Sequence, residues 1–144
     1  MGAPRLCILA LAVAAGLFPT AQAPRKAVWD GVYTKKQAER GSAVYNEACS
    51  HCHARNLGGG EVNGEVAPTL KGVYFIQKWS GSLSDLFIEI EDSMPKNDPG
   101  AMSPEETADI IAYLLQANDA QAGESEIPSG RDKVRDILVT SKPK

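Results

Sequence analysis

Two cysteines and a histidine lie close together in the chain, as Cys49-x-x-Cys52-His53. Two thiols and an imidazole at this spacing suit four kinds of site: structural zinc, a dithiol redox pair, a disulfide, or covalent attachment of haem. For haem, the thiols would add to the two vinyl groups, and the adjacent imidazole would bind the iron. The spacing therefore defines a candidate site, and the rest of the chain must decide among the four.

The remaining sequence favours haem. A zinc site usually takes four ligands, often as two separated pairs, but apart from Cys7 every Cys and His lies within 49–53. No βαβ pattern surrounds the pair, as a thioredoxin-like site would need, and a disulfide would close too small a loop to constrain the unfolded chain. We predict one haem c, attached through Cys49 and Cys52, with His53 as the proximal ligand and His51 as an exposed variable residue of the motif.

The second iron ligand should be a methionine, since no further histidine is available. A thioether ligand raises the reduction potential of haem iron. Met94 lies in Ser93-Met94-Pro95, where the proline stiffens the backbone, and we expect it to be the ligand. Met102 is the alternative, although an apolar residue directly before a helix cap commonly packs on the start of that helix.

Three further residues are expected beside the haem. The Nδ1–H group of His53 needs an acceptor, and Pro68 offers a free carbonyl within Ala67-Pro68-Thr69-Leu70. Tyr74 and Trp79 could each hydrogen-bond a haem propionate while packing on the ring. Ordinary core packing is the alternative for both aromatic residues.

Three predicted helices, each opening with a capping-box pattern, must position these residues. Their ranges, with the cap and box residues, are 35–48 (Thr34, Gln37), 83–92 (Ser82, Asp85) and 104–118 (Ser103, Glu106). The glycine-rich stretch 53–81 shows no convincing strand pattern and is predicted as a long loop that wraps the haem. The expected fold is all-α, with three main helices and a long loop around one covalent haem.

The first 23 residues predict a secretory signal peptide. They combine Arg5, an apolar run over 6–18 and the small residues Ala-Gln-Ala at 21–23, although Pro24 leaves the cleavage position open. The apolar run is shorter than the roughly 20 residues that span a bilayer, so a membrane anchor is the weaker interpretation. We expect a periplasmic protein with no stable membrane insertion after cleavage.

Composition and charge indicate one domain and limit its partners. The predicted organisation is a signal peptide at 1–23, a haem domain at 24–118 and an extended C-terminal arm at 119–144 that packs on the domain, with one short helix or strand around 134–139. The formal net charge is −3, and loss of Arg5 would make it more negative. This argues against nucleic acid or an anionic membrane surface as a partner.

These residues resemble the class I (mitochondrial-like) cytochromes c of bacteria over nearly the whole chain after the signal peptide. The motifs that carry the resemblance are Gly41-x-x-x-Tyr45, Cys49-x-x-Cys52-His53, Ala67-Pro68-x-Leu70-x-Gly72, Phe75 with Trp79, Met94-Pro95, and residues 110–115. The resemblance implies that the N- and C-terminal helices cross at Gly41, near Tyr113 and Leu114. It also implies the roles assigned above to Pro68 and Met94.

Four segments are similar, more narrowly, to mono-haem cytochromes linked to quinoprotein dehydrogenases. They are Gln37-Ala38-x-Arg40-Gly41, Asn97-Asp98-Pro99-Gly100, residues 112–118 and Gly123-Glu124-x-Glu126-Ile127-Pro128. The similarity implies a dehydrogenase as electron donor, with an oxidase or another cytochrome as acceptor. Two features depart from the family: Met102 replaces a usual leucine, and Glu61 and Glu65 make the haem-side loop acidic.

The expected function is that of a periplasmic electron carrier rather than an enzyme, shuttling single electrons through a His/Met-ligated haem. The alternative is a five-coordinate haem that senses a gas or reacts with peroxide, with Met94 absent from the iron. The sequence places no distal histidine or arginine for peroxide chemistry, which disfavours the alternative.

Overall fold

The computed structural model describes residue 2 and residues 25–144, so the predicted signal peptide lies almost wholly outside the described residues. Residues 25–144 form five α-helices, one 3-10 helix and five short strands. In chain order these are β1 (Lys26–Ala27), α1 (Lys35–Ala48), α2 (Ser50–His53), β2 (Gly60–Val62), β3 (Glu65–Ala67), α3 (Val73–Lys78), β4 (Gly81–Ser82), α4 (Leu83–Ser93), α5 (Pro104–Ala117), the 3-10 helix Arg131–Val134 and β5 (Ile137–Val139). Helices dominate as predicted, but the all-α prediction missed two small sheets.

The three main helices begin at the capping residues that the sequence predicts. Thr34 Oγ accepts the N–H of Gln37 at 3.1 Å, and Ser103 Oγ accepts the N–H of Glu106 at 3.2 Å. The Glu106 carboxylate accepts the Ser103 N–H at 2.9 Å in return, which completes a capping box. These bonds satisfy N–H groups that have no partner inside the helix, so local sequence sets where α1 and α5 start.

Two of the predicted capping boxes differ in the structure. Ser82 accepts the N–H of Ser84 at 3.2 Å rather than forming a box with Asp85. The Gln37 amide turns away from its own helix: its Nε2 donates to the Ile127 carbonyl at 3.0 Å, and its Oε1 accepts the Ile127 N–H at 2.8 Å. Gln37 is only 1% exposed, so its amide needs buried partners, and a distant segment supplies them.

Helices α1 and α5 touch at Gly41. A Cβ atom at this position would lie 1.8 Å from the carbonyl oxygen of Asp109, so only glycine allows the contact. The expected contact with Tyr113 and Leu114 is therefore wrong by one helical turn. Tyr113 instead packs against Tyr45, with ring centroids 5.2 Å apart. Tyr45 lies four positions after Gly41, and Tyr113 lies four positions after Asp109. The two contacts are therefore successive layers of the same helix crossing.

The stretch 53–81 is more ordered than the predicted loop. β2 and β3 pair as an antiparallel hairpin, joined by Asn63 and Gly64 with φ of 55° and 82°. Asn-Gly between short strands is the strongest short-range hairpin signal, so the clue was present in the sequence. Helix α3 follows Gly72 without any side-chain cap, and it therefore lacks the pattern that located the other helices.

The C-terminal segment runs back along the helices. β5 is the middle strand of a three-stranded sheet, parallel to β1 and antiparallel to β4. Trp29 Nε1 donates to the Thr140 carbonyl at 2.9 Å, and Val134 is fully buried. The short element predicted around 134–139 is a 3-10 helix followed by a strand. This segment thereby joins the N-terminal strand to the start of α4.

Replacing Gly41 with alanine should force α1 and α5 apart, because the new methyl group would overlap the Asp109 carbonyl. We expect a loss of about 3 kcal/mol in the free energy of unfolding, although alanine raises helix propensity by about 1 kcal/mol. Urea unfolding measures the loss. Gly60→Ala is the control, because its Cβ would meet only the Cys52 carbonyl at an ordinary 3.6 Å. Similar losses in the two variants would contradict the contact.

Gln37→Met keeps the side-chain volume but removes both hydrogen bonds to Ile127. The Ile127 N–H and carbonyl groups would then be buried without partners, and we expect a loss of about 2–4 kcal/mol. Hydrogen exchange at the Ile127 amide should also accelerate. Lys36→Met, on the exposed side of the same helix, should change stability by less than about 0.5 kcal/mol. An unchanged Ile127 exchange rate in Gln37→Met would show that the amide does not hold the segment.

Candidate functional site

The end of α1 and the short helix α2 carry the two cysteines and the histidine. Cys49 follows α1 directly, and its N–H donates to the Tyr45 carbonyl at 2.9 Å. The His53 N–H donates back to the Cys49 carbonyl at 3.0 Å, so the whole motif is one continued helical turn. Cys49 is half-buried and Cys52 is exposed, and both are free thiols. Both sulfurs therefore remain available for bonds to a ligand.

His53 is held in one tautomer by a backbone carbonyl. Its Nδ1 lies 2.9 Å from the carbonyl oxygen of Pro68, the hydrogen bond that the sequence analysis predicts. Because a carbonyl can only accept, Nδ1 carries the proton, and in the neutral imidazole Nε2 then keeps its lone pair. His53 is 9% exposed. The result is a fixed imidazole with a metal-binding nitrogen, oriented as histidine ligands usually are.

The loop that carries Pro68 is held against the motif by close backbone contacts. The Gly59 N–H donates to the His53 carbonyl at 3.1 Å. Gly59 has φ of 78°, and a Cβ there would lie 2.5 Å from the Ala67 carbonyl oxygen, so glycine is required on both counts. Tyr45 adds a bond from its hydroxyl to the Ala54 carbonyl at 2.7 Å. These contacts fix the distance between His53 and its acceptor.

Asn118 ties the far end of this loop to α5. Its Oδ1 accepts the Gly72 N–H at 2.8 Å, and its Nδ2 donates to the Leu70 carbonyl at 3.1 Å and the Leu114 carbonyl at 2.8 Å. Asn118 is 8% exposed. Sequence reasoning assigned it no role. The only feature of the sequence that could have singled out Asn118 is its place at the end of residues 112–118, a segment that resembles the quinoprotein-linked cytochromes.

One cavity of about 1180 Å³ lies between this loop, α4 and α5. Its walls also include apolar side chains from α3, α4 and α5, among them Phe75, Leu86 and Ile110. The structure brings together all seven residues predicted for the site; those that line the cavity are Cys49, Cys52, His53, Pro68, Tyr74, Trp79 and Met94. A site assembled from such distant parts of the chain depends on the helix packing.

The two methionines near the cavity differ in their surroundings. Met94 caps the C-terminal end of α4, and Met102 lies just before the capping box of α5. Both line the cavity and both are half-buried. Met102 packs against the main hydrophobic core, whereas Met94 is absent from that packing among the described residues. The Met94 thioether is therefore the one that the core leaves free for another contact.

The two aromatic residues predicted beside the haem occupy different environments. Tyr74 is 73% exposed, while Trp79 is half-buried and packs against the core. The ammonium group of Lys78 lies 5.5 Å from the centroid of the Trp79 ring. Trp79 thus combines core packing with a place on the cavity wall, and Tyr74 lies at the mouth. His51 is exposed, as expected for a variable motif residue.

Burial shifts the pKa of two groups beside the cysteine motif. Burial raises the pKa of the Cys49 thiol to about 11, with Cys52 as a smaller cause, so the thiol is protonated at neutral pH. Burial also raises the pKa of Tyr45, whose hydroxyl remains a hydrogen-bond donor. The wall of the cavity is mostly apolar, which suits a large apolar ligand, although charged residues such as Glu47 and Glu65 also line it.

The site fits a covalently attached haem. Ligand pockets are commonly about 300–1,000 Å³, so a cavity of about 1180 Å³ has room for a macrocycle. Two free thiols three residues apart and an imidazole with an available Nε2 supply the attachment groups and an iron ligand. The cavity, the thiols and the histidine tautomer all agree with this cofactor.

Comparisons with known proteins point in the same direction. The sequence profile described as "Cytochrome C oxidase, cbb3-type, subunit III" matches residues 36–114. This range begins in α1 and ends in α5, so it includes every predicted site residue. A curated protein, "Cytochrome c" of Chlamydomonas reinhardtii, is 31% identical, and the match covers 54% of this chain and 87% of the relative.

A solved structure is also similar in outline. The sulfane dehydrogenase SoxCD from Paracoccus pantotrophus aligns with a TM-score of 0.49 and 19% identity, over 77% of this chain and 61% of that chain. The present chain therefore spans less than two thirds of the SoxCD chain that it matches. Within residues 25–144, no helix has the length and apolar character needed to cross a bilayer.

Asn118→Ala should loosen the loop between His53 and α3, because the Gly72 N–H and the Leu70 carbonyl would lose their partners. We expect a loss of about 2 kcal/mol in the free energy of unfolding and faster hydrogen exchange at the Gly72 amide. Asn46→Ala is the matched control, since Asn46 is exposed and its side chain bonds only within α1. Equal Gly72 exchange in the two variants would rule out the role of Asn118 in holding this loop.

Proposed function

We propose, from the premise that this chain belongs to the cytochrome c family, that it carries single electrons through a haem held by Cys49, Cys52 and His53 and ligated by Met94. The family itself establishes a covalently bound haem c and electron transfer through it. The specific residues, the partners and the cellular location form the proposal. The observation that carries it is that the Cys-x-x-Cys-His motif and Met94 line the same cavity.

The proposed proximal half of the site is Cys49, Cys52 and His53. Bound haem c supplies an iron that gains and loses one electron. The two cysteines would hold the macrocycle through thioethers, which prevents its dissociation in either oxidation state. Pro68 keeps the His53 imidazole in the tautomer that binds metal and increases its basicity through the 2.9 Å hydrogen bond.

Met94 is the proposed distal ligand. Its position at the end of α4 and its absence from the core packing support this assignment, whereas Met102 already packs against the core. A thioether favours the ferrous state and so raises the reduction potential. Apolar walls around Leu86 and Ile110 would act in the same direction, because the extra charge of ferric iron would be less well solvated there.

Trp79 and Tyr74 are proposed to contact the haem at the cavity wall and mouth. Both carry a polar group that can bond a propionate and an apolar ring that can pack on the macrocycle. The half-buried position of Trp79 and its place on the cavity wall support the first assignment. Tyr74 is 73% exposed and lines the cavity, which supports a contact at the mouth of the cavity.

The proposed carrier operates in the periplasm after loss of residues 1–23, with a haem domain at 24–118 and an extension at 119–144. The sequence resemblance supports a quinoprotein-type dehydrogenase as donor and a respiratory protein as acceptor. Redox partners usually dock through small, weak interfaces. The exposed Cys52 and Tyr74 lie on the wall of the cavity, so electrons would need to cross only a short distance to a partner docked there.

Met94→Ala should abolish the methionine–iron charge-transfer band in the absorbance spectrum of the ferric holoprotein, because the iron loses its sulfur ligand. Its reduction potential should also fall. Met102→Ala is the matched control, as it removes a second cavity-lining thioether that packs on the core. The band should survive in this variant, although stability should fall by about 2–3 kcal/mol.

The opposite pattern, with the band lost only in Met102→Ala, would assign the ligand to Met102. A high-spin ferric spectrum in the wild-type protein would contradict the electron-carrier proposal and favour the five-coordinate alternative. A haem stain that disappears under denaturing electrophoresis would contradict attachment through Cys49 and Cys52.

A further inference from the structure

The last turn of α4 carries charges of the unfavourable sign. Glu91 and Asp92 lie at the C-terminal end of the helix, where the helix dipole is negative, and the turn contains no basic residue. Met94 caps this same end, and its N–H donates to the Ile90 carbonyl at 3.2 Å. The negative charges of Glu91 and Asp92 would therefore destabilise the last turn of α4, which positions Met94, unless another part of the chain supplied a positive charge.

Arg131, from the C-terminal segment, supplies that charge. Its Nε and one terminal nitrogen donate to Glu91 Oε2, the Nε bond being 2.8 Å. Its terminal nitrogens also reach both Asp92 oxygens, at 2.5 and 3.0 Å. A guanidinium fork that engages two carboxylates fixes direction as well as charge. The Glu91 side chain is only 18% exposed, which limits screening by solvent.

The same segment also holds the beginning of α4. Ser82 Oγ, at the N-terminal cap, donates to the Arg135 carbonyl at 2.9 Å, and β4 pairs with β5. Val134, between these two attachments, is fully buried. Residues 131–139 therefore contact α4 at both of its ends. The cavity lies against this helix, because Leu86, Ile90 and Met94 all line it.

We propose that Arg131 is a positioning residue for Met94: it holds the last turn of α4 so that the thioether stays at the iron. This inference rests on the proposed ligation by Met94. Without Arg131, two carboxylates would face the negative end of the helix without a partner, and the last turn would fray. Fraying would raise the population in which Met94 has left the iron, and an external ligand would then bind in proportion to that population.

The test compares Arg131→Gln with Arg135→Gln in the ferric holoprotein, with imidazole as the external ligand. Arg135 is the matched control because its side chain pairs only with Asp132 of its own segment, and its backbone bond to Ser82 is retained. We expect Arg131→Gln to bind imidazole about tenfold more tightly than the wild type. Arg135→Gln should bind it within about twofold of the wild type.

Hydrogen exchange separates positioning from general stability. In Arg131→Gln the Met94 amide should exchange faster than in the wild type. The exchange rate of the Phe87 amide, in the buried middle of α4, should change only by the amount expected from the change in the global free energy of unfolding, which urea unfolding measures. Arg131→Lys should recover part of the effect, since it restores the charge without the fork. In a Glu91→Gln/Asp92→Asn background, Arg131→Gln should have little further effect, because the charges that it compensates are gone.

The outcomes distinguish this inference from the function on which it rests. A wild-type spectrum without the charge-transfer band would overturn ligation by Met94 and the positioning role together. A wild-type band, combined with unchanged imidazole affinity and Met94 exchange in Arg131→Gln, would overturn only the positioning role. If the imidazole affinity of both arginine variants changes only in step with the global free energy of unfolding, the positioning role is also overturned. Arg131 would then only stabilise the fold in general.

Discussion

The contact between Gly41 and the Asp109 backbone is the constraint on which the rest of the structure depends. It lets α1 and α5 approach until backbone meets backbone, and Arg40, next to the glycine, then binds both Asp109 oxygens at 2.8 Å. One layer farther, Tyr45 packs on Tyr113. The cysteine motif continues directly from α1, so this crossing decides where the proposed haem attachment groups lie relative to α5.

From that crossing, the site is built by loops that bond both to the helices and to one another. Tyr45 bonds the residue after His53, Leu70 bonds Leu57, and Asn118 bonds the end of the loop that follows Pro68. Such bonds are short and directional, and they fix backbone atoms. The His53–Pro68 distance therefore follows from the helix packing. This explains how a loop can hold an imidazole in one tautomer.

Local patterns in the sequence were sufficient to locate the three main helices and to name residues that the structure brings to one cavity. The caps located α1, α4 and α5, and the Cys-x-x-Cys-His spacing together with the Ser-Met-Pro segment named residues that share one cavity. Long-range contacts were not accessible in the same way. Gln37 matched a capping box, yet its amide binds Ile127, 90 residues away. A local pattern cannot show that a buried amide has a better partner elsewhere.

The C-terminal segment links the two halves of the proposed site. At Ile127 and Glu126 it binds Gln37 and Arg40 of α1, the helix that leads into the proposed haem attachment motif. At Arg131 it binds the end of α4, which carries Met94. Anything that detaches this segment would therefore act on both proposed axial ligands, although it contacts neither of them directly. A single peripheral segment can thus tune an electron-transfer site because both sides of that site are anchored to it.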